Sequence, residues 1–349
     1  MTALLSFYHF IMMKFSIRLN NDLPLADYVS LARAAEAAGF DQFWVSNDLF
    51  LRSAPVILAA VAQATQQIHI GTCILNPYTI DPAEIAMFAA TMDELSGNRF
   101  NLGLAAGASD FLNWVGIEQR KPLAAMRESI LAIQALQRGE RVALNGQFLQ
   151  WNDNAYLRFS APRQTPIYVG AMSEGMLRLA GELADGVLPL LFPPEHYFGV
   201  RPLVNEGLAK RLATAHPSAA DFDFAACIWV SLDEDRIAAR HVLAQKVAYY
   251  GHALSPLIYA RLGVRQAEFE PIDHALNVER DEAKAIGMVT DKMLAIGVVG
   301  DVEDLLARLR PLVAAGATHI SFGPPLGPDP FKAIQLLGQC KKILISRSH

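Results

Sequence analysis

The stretch Ile167-Tyr168-Val169-Gly170-Ala171-Met172-Ser173-Glu174-Gly175-Met176, running on into Leu177-Arg178-Leu179-Ala180, changes its period at a glycine. A β-branched apolar run stops at Gly170, a turn of small residues follows, and a helical pattern begins after Ser173. A strand that feeds a helix in this way leaves backbone N–H groups open at the helix N-terminus, which suits an anion, most often a phosphate. The plainer reading is a strand–turn–helix junction capped by Ser173. What decides the fold is that the junction repeats along the chain.

Working outward, the expected strands are Lys14–Leu19, Asp41–Ser46, Ile68–Leu75, Arg99–Ala105, Pro166–Gly170, Gly186–Leu190, Asp223–Ser231 and Thr318–Gly323. Amphipathic segments follow most of them: Leu25–Ala38, Ala54–Thr65, Pro82–Leu95, Leu123–Arg138, Gly175–Leu183, Pro194–Ala215, Asp233–Tyr250 and Pro330–Leu344. Eight alternating units with buried-looking strands predict an α/β fold, a (β/α)8 TIM barrel, with an open doubly wound sheet as the alternative. Residues 14–349 are expected to form one barrel domain. Two insertions are expected in it: a hairpin over 142–159, where apolar and polar residues alternate around Asn145-Gly146, and an irregular helical segment over 251–300. Residues 1–13 are expected to be a leader or start-site extension, with the start at Met12 or Met13.

Composition narrows the function classes. A formal charge of −5 on 349 residues argues against nucleic acid or an anionic membrane as partner. The apolar first dozen residues lack a basic region and a cleavage site, and no run has the length of a membrane span. Cys73, Cys227 and Cys340 are far apart, so neither a disulfide framework nor a zinc site is expected, and a cytoplasmic location fits. No metal is assigned. His69 and His319 fall inside strands and read as core residues. A nucleophile elbow, a P-loop and a Rossmann glycine motif are missing. In a barrel, chemistry gathers where strands end, which selects Arg18 and Asn20, Asn47 and Asp48, Cys73 to Asn76, Gly107 to Asp110, Gly170 to Ser173 and Gly323 to Pro325.

Four stretches at those junctions carry a resemblance: Ala34–Trp44 (AAEAAGFDQFW), Asn76-Pro77-Tyr78 with Asp81-Pro82-Ala83 and Glu94–Arg99, Ile167–Val187, and Gly316–Gly327 (GATHISFGPPLG) with Ile334-Gln335-Leu336. Across about Lys14 to Ile345 the chain resembles the bacterial-luciferase-like flavin and deazaflavin oxidoreductases, and within them the methylenetetrahydromethanopterin reductases. The resemblance implies a luciferase-like barrel enzyme using coenzyme F420, with hydride passing between the reduced deazaflavin and a one-carbon pterin or similar small molecule. It also implies a homo-oligomer. The alternatives are an FMN-dependent monooxygenase on the same barrel and a non-catalytic flavin-binding barrel.

Roles follow from the resemblance position by position. Cys73-Ile74 is expected to be a non-proline cis peptide, a bulge behind the cofactor ring. Asn47, Asn76, Gly107 and Ala108 are expected to border that ring. Gly170, Ala171, Met172 and Ser173 are expected to bind the cofactor phosphate, largely through backbone N–H groups. A basic rim near Arg163, Arg178 or Arg201 would suit the deazaflavin's acidic tail. Asp110 is the candidate acid, on the expectation that a pocket desolvates it. Asp48 stands where many relatives carry histidine, and it donates a hydrogen bond only when protonated. Arg18 stands where the reductases tend to carry glutamate. It either meets an anionic group on the substrate or forms an ion pair with Asp48 or Asp110.

Overall fold

The computed structural model describes residues 13–213 and 221–346. In chain order the strands are β1 (Lys14–Leu19), β2 (Gln42–Val45), β3 (His69–Thr72), β4 (Phe100–Leu104), β5 (Leu144–Asn145), β6 (Gln150–Trp151), β7 (Ile167–Gly170), β8 (Gly186–Leu188), β9 (Asp223–Leu232), β10 (Val298–Gly300) and β11 (His319–Leu326). Eight of them form a parallel ring in the order β1-β2-β3-β4-β7-β8-β9-β11. The ring shuts where β11 meets β1, with His319 opposite Lys14, and where β8 meets β9, with Gly186 opposite Asp223. Closure leaves no free edge within the ring and excludes the open sheet. The fold is a (β/α)8 barrel.

The surrounding helices are α1 (Leu25–Ala37), α2 (Ala54–Ala64), α3 (Pro82–Ser96), α4 (Ser109–Trp114), α5 (Pro122–Gln137), α6 (Glu174–Leu183), α7 (Tyr197–Ala213) and α8 (Arg236–Tyr250). Four short helices then follow, α9 (Pro256–Leu262), α10 (Glu270–His274), α11 (Glu282–Gly287) and α12 (Asp291–Leu294), before α13 (Val302–Ala314) and α14 (Pro330–Ser346). Local chemistry sets their ends. Asp81 accepts from the Ala83 N–H at 2.8 Å to open α3, and Gly97, at φ +66°, closes it. Asp301 and Asp304 form a reciprocal capping box on α13.

Strands β4 and β9 are buried along their whole lengths, because one face meets helices and the other meets the barrel interior. Phe15, Phe43, Phe100 and Phe322 are fully buried on the helix side, each contributing about 1.5–3 kcal/mol. Inside the ring, Trp44, Tyr168, Leu188, Ala225 and Cys227 pack together. Large residues face glycines there: a Cβ on Gly71 would collide with the Trp44 ring, and one on Gly186 with the Tyr168 ring.

A polar spine runs up the same interior. Asp223 takes Lys14 Nζ at 3.2 Å, the Tyr168 hydroxyl at 2.8 Å and His319 Nδ1 at 2.9 Å. His319 Nε2 meets Ser16 Oγ at 2.8 Å, Ser16 meets Ser321 Oγ at 2.8 Å, and Arg18 Nε donates to Ser321 Oγ at 3.1 Å. Burial alone would raise the Asp223 carboxyl, but His319, Lys14 and Tyr168 outweigh it and hold that group well below the usual carboxylate range.

Several elements differ from the sequence reading. Regular β3 ends at Thr72, earlier than expected, and Leu75 rejoins the sheet by a bridge to Leu104; the Cys73-Ile74 peptide between them is cis, as expected. Helix α4 spans six residues and β10 three, too short for a period to show in sequence. Strand β10 adds to the outside of the ring by pairing with β9. Strands β5 and β6 pair antiparallel, and the turn between them is held by Glu128, whose carboxylate accepts from the N–H groups of Gln147, Phe148 and Leu149. The expected leader, apart from Met13, lies outside the described residues, as does the expected end of α7 beyond Ala213.

Candidate functional site

Strand ends β3, β4 and β7 build one wall. Gly170 leaves room where a Cβ would stand 3.1 Å from both Ile74 and Ala105, so three strand ends meet there without side-chain bulk. Gly107, at φ +79°, lies against Asn76, and a Cβ would come within 3.3 Å of its amide. Asn76 spends its oxygen on its own turn, accepting from Tyr78 N, Thr79 N and Thr79 Oγ1. Gln119 donates to the carbonyls of Ala106 and Gly107 and fixes the loop that leads through exposed Ala108 into α4. Cys73 and Ile74 are half-buried, and burial pushes the Cys73 thiol up to about 12, so it stays neutral.

The wall leads to the N-terminus of α6. Ser173 caps it, its hydroxyl oxygen accepting from Met176 N at 3.4 Å. Among the described residues, no group accepts from the N–H of Ala171, Met172 or Ser173. Met172 points outward, 44% exposed, so its backbone rather than its side chain faces the turn's work.

The opposite wall comes from β1, β2, β9 and β11. Asn21, fully buried, ties the first two strand ends together: it exchanges hydrogen bonds with the Asp48 backbone at 3.0 and 3.2 Å and donates to the Arg52 carbonyl. Asn47 accepts from Ala54 N at 3.1 Å and so fixes the loop into α2. The Asp48 carboxylate is half-buried and makes no hydrogen bond or ion pair among the described residues. Burial raises its pKa, with Lys246 pulling the other way. Lys246, on α8, rests its Nζ 4.5 Å from the Trp229 ring and 4.7 Å from the Tyr250 ring. Burial brings Lys246 down to about 8, against the opposing pull of Asp22 and Asp48. Phe192 packs on Trp229 at 4.5 Å between centroids and stiffens this box.

Three expectations are corrected. Asp110 is exposed in the first turn of α4, where its charge suits the helix dipole, so no pocket desolvates it. Arg18 pairs with neither Asp48 nor Asp110, and among the described residues its one side-chain hydrogen bond goes to Ser321. The basic rim is not assembled. Arg163 pairs with Asp93 beside the start of β4, Arg178 with Glu174 and Glu206, and Arg201 lies over Phe224 near the start of β9. The sequence reading missed Lys246, Trp229 and Tyr250. Their one signal is the four-residue spacing of Lys246 and Tyr250 on a helix. It also missed an aromatic rim across two loops, Phe50 and Trp114, 70% and 63% exposed, with centroids 6.1 Å apart. Among the described residues no group of three or more His, Cys, Asp or Glu is placed to hold a metal ion, and no helix is long and apolar enough to cross a membrane.

Comparison with known proteins agrees with this geometry. The luciferase-like monooxygenase family matches residues 5–319. The 5,10-methylenetetrahydromethanopterin reductase of Archaeoglobus fulgidus is 34% identical, covering 94% of this chain and 98% of its own. That of Methanolobus tindarius is 33% identical over 94% and 99%. The structure of the coenzyme F420 dependent tetrahydromethanopterin reductase from Methanopyrus kandleri superposes with a TM-score of 0.85 at 28% identity, over 94% of this chain and 98% of that one. The chain belongs to the luciferase-like family of barrel oxidoreductases, in the group of the 5,10-methylenetetrahydromethanopterin reductases.

Proposed function

We propose that this protein moves a hydride between coenzyme F420 and a one-carbon pterin or a similar small electrophile. The observation that carries the reading is the wall where Ile74, Asn76 and Ala105 pack closely on Gly107 and Gly170, leading to the open α6 N-terminus. A flat ring would lie along that wall, and its phosphate would suit the N–H groups of Ala171, Met172 and Ser173. A deazaflavin held there would supply the hydride chemistry.

The chain's own residues then position, shield and supply protons. The Cys73-Ile74 bulge, Asn76 and the Gly107-Ala108 turn would hold the ring, and Asn47 fixes the neighbouring loop. Phe50 and Trp114 keep water from the mouth. A methylene carbon held between two nitrogens accepts hydride once one C–N bond opens, and the freed nitrogen takes a proton. Asp48 is the donor we assign to that proton, since burial keeps its carboxyl protonated to higher pH than usual. Asp110, exposed, is left a secondary role at the rim.

Absorbance and fluorescence titration with oxidised coenzyme F420, and separately with FMN, tests the reading. Tight deazaflavin binding with weaker FMN binding supports it, and reduction of the bound deazaflavin by a methyl-pterin, or the reverse, completes it. Preference for FMN overturns it in favour of a monooxygenase, and binding of neither in favour of a non-catalytic barrel. We also place the enzyme in the cytoplasm as a homo-oligomer. Three free cysteines support the first. Exposed Val56 on α2, with Met87 and Leu95 on α3, supports the second. Light scattering on the purified protein tests the assembly.

A further inference from the structure

Arg18 is buried at the barrel mouth and forms no ion pair among the described residues. Its side chain belongs to a residue only 6% exposed, and Nη2 is buried with no hydrogen-bond partner. Nε alone is engaged, on the Ser321 hydroxyl. Arg18 acts on Cys73 and Cys227, two thiols that burial keeps neutral, and on Lys246, a second cation that also feels Asp22 and the Asp48 carboxyl. The carboxylate at the base of the spine, Asp223, is already committed to His319, Lys14 and Tyr168. Lys246 likewise makes no ion pair among the described residues; its Nζ lies over two ring faces and feels Asp22 and Asp48 only at longer range.

The fold is built to keep this guanidinium. A Cβ on Gly323 would collide with Nη2, so the last barrel strand carries a glycine at that level. The Ser321–Ser16–His319 contacts fix the one oxygen that Arg18 uses. A buried guanidinium with an idle face is costly unless something anionic meets it, and its planar fork suits a carboxylate or phosphate. In the closed ring β1 lies four strands from β7 in either direction, diametrically across from the α6 N-terminus. One phosphate cannot serve both places.

We propose that Arg18 Nη2, with Lys246, forms an anion subsite opposite the cofactor wall, and that the substrate exchanging hydride carries a carboxylate or phosphate seated there. The inference rests on the hydride-transfer reading for the identity of the substrate but not for the existence of the site.

Inorganic phosphate and acetate, with neutral methyl acetate as control, are titrated at constant ionic strength into cofactor-free and F420-saturated protein. The readouts are tryptophan fluorescence, since Trp229 lies under Lys246, and thermal shift. Wild type is expected to saturate with one or both anions in the F420-saturated state, and which anion binds better identifies the substrate's group. Arg18→Gln is expected to weaken that binding by about tenfold or more, while Arg18→Lys stays within about threefold. The affinity for F420 is expected to be unchanged in both. Lys246→Met, on the outer helix, must weaken the same anions and decides the matter should Arg18→Gln fail to fold. Equal anion binding by wild type and the charge-removing variants overturns the proposal, as does no anion binding by wild type. Failure of F420 to bind overturns the hydride-transfer reading instead, and the difference between wild type and variant in cofactor-free protein still decides the anion site.

Discussion

At the scale of the residue, Asp48 and Asp110 exchange importance. In sequence both are acids at strand ends, and only folding shows that one is desolvated and the other faces water. Asp48→Asn is expected to lower kcat by about 10²–10⁴-fold, the span of a positioned general acid, with F420 affinity unchanged in titration. The same carboxyl sets a pH limb. A raised pKa keeps the acid form to higher pH, so kcat/KM is expected to fall as pH rises through it, and the asparagine variant to lose that limb. Asp223 has the opposite sign. Its depressed pKa stabilises the fold above the ordinary carboxylate value of about 3.9, and that stability is lost as pH falls below it. Asp223→Ala leaves Tyr168 and His319 without their acceptor and is expected to cost about 3–5 kcal/mol in denaturant unfolding.

At the scale of the element, the eight ring strands were legible because most are apolar and followed by a helical period. The turn at Gly170 was legible because only small residues stand in it. What could not be read was pairing across distance. Lys246 lies far along the chain from Trp229's strand partners, and nothing local shows that α8 lays its lysine on that ring. The idle face of Arg18 was equally hidden, because whether a strand arginine meets a carboxylate depends on the partner strand, here Ser321 rather than an acid. The β5–β6 turn shows the same dependence on a distant group, since one carboxylate from α5 holds three of its N–H groups. Glu128→Ala is expected to speed amide exchange at Gln147, Phe148 and Leu149 by about tenfold or more while leaving F420 affinity alone. Ser173→Ala is expected to remove about 1 kcal/mol of cap stabilisation and also to weaken F420 binding.

At the scale of the whole molecule, the barrel divides its labour by halves. Saturation with F420 at about a hundredfold over its Kd is expected to add about 2.7 kcal/mol and raise the melting temperature by several degrees, read by calorimetry. Apart from Asn47, the positions assigned to the cofactor run from Cys73 to Ser173, a little under a third of the chain. The positions around Arg18 come from its two extremes: Ser16 and Arg18 on the first strand, Ser321 and Gly323 on the last. A chain synthesised only as far as α6 therefore carries the residues assigned to the cofactor wall, but not β11, whose pairing with β1 closes the ring. The half that selects the acceptor comes into being only when synthesis is nearly finished, so an incomplete chain lacks the means to choose a substrate.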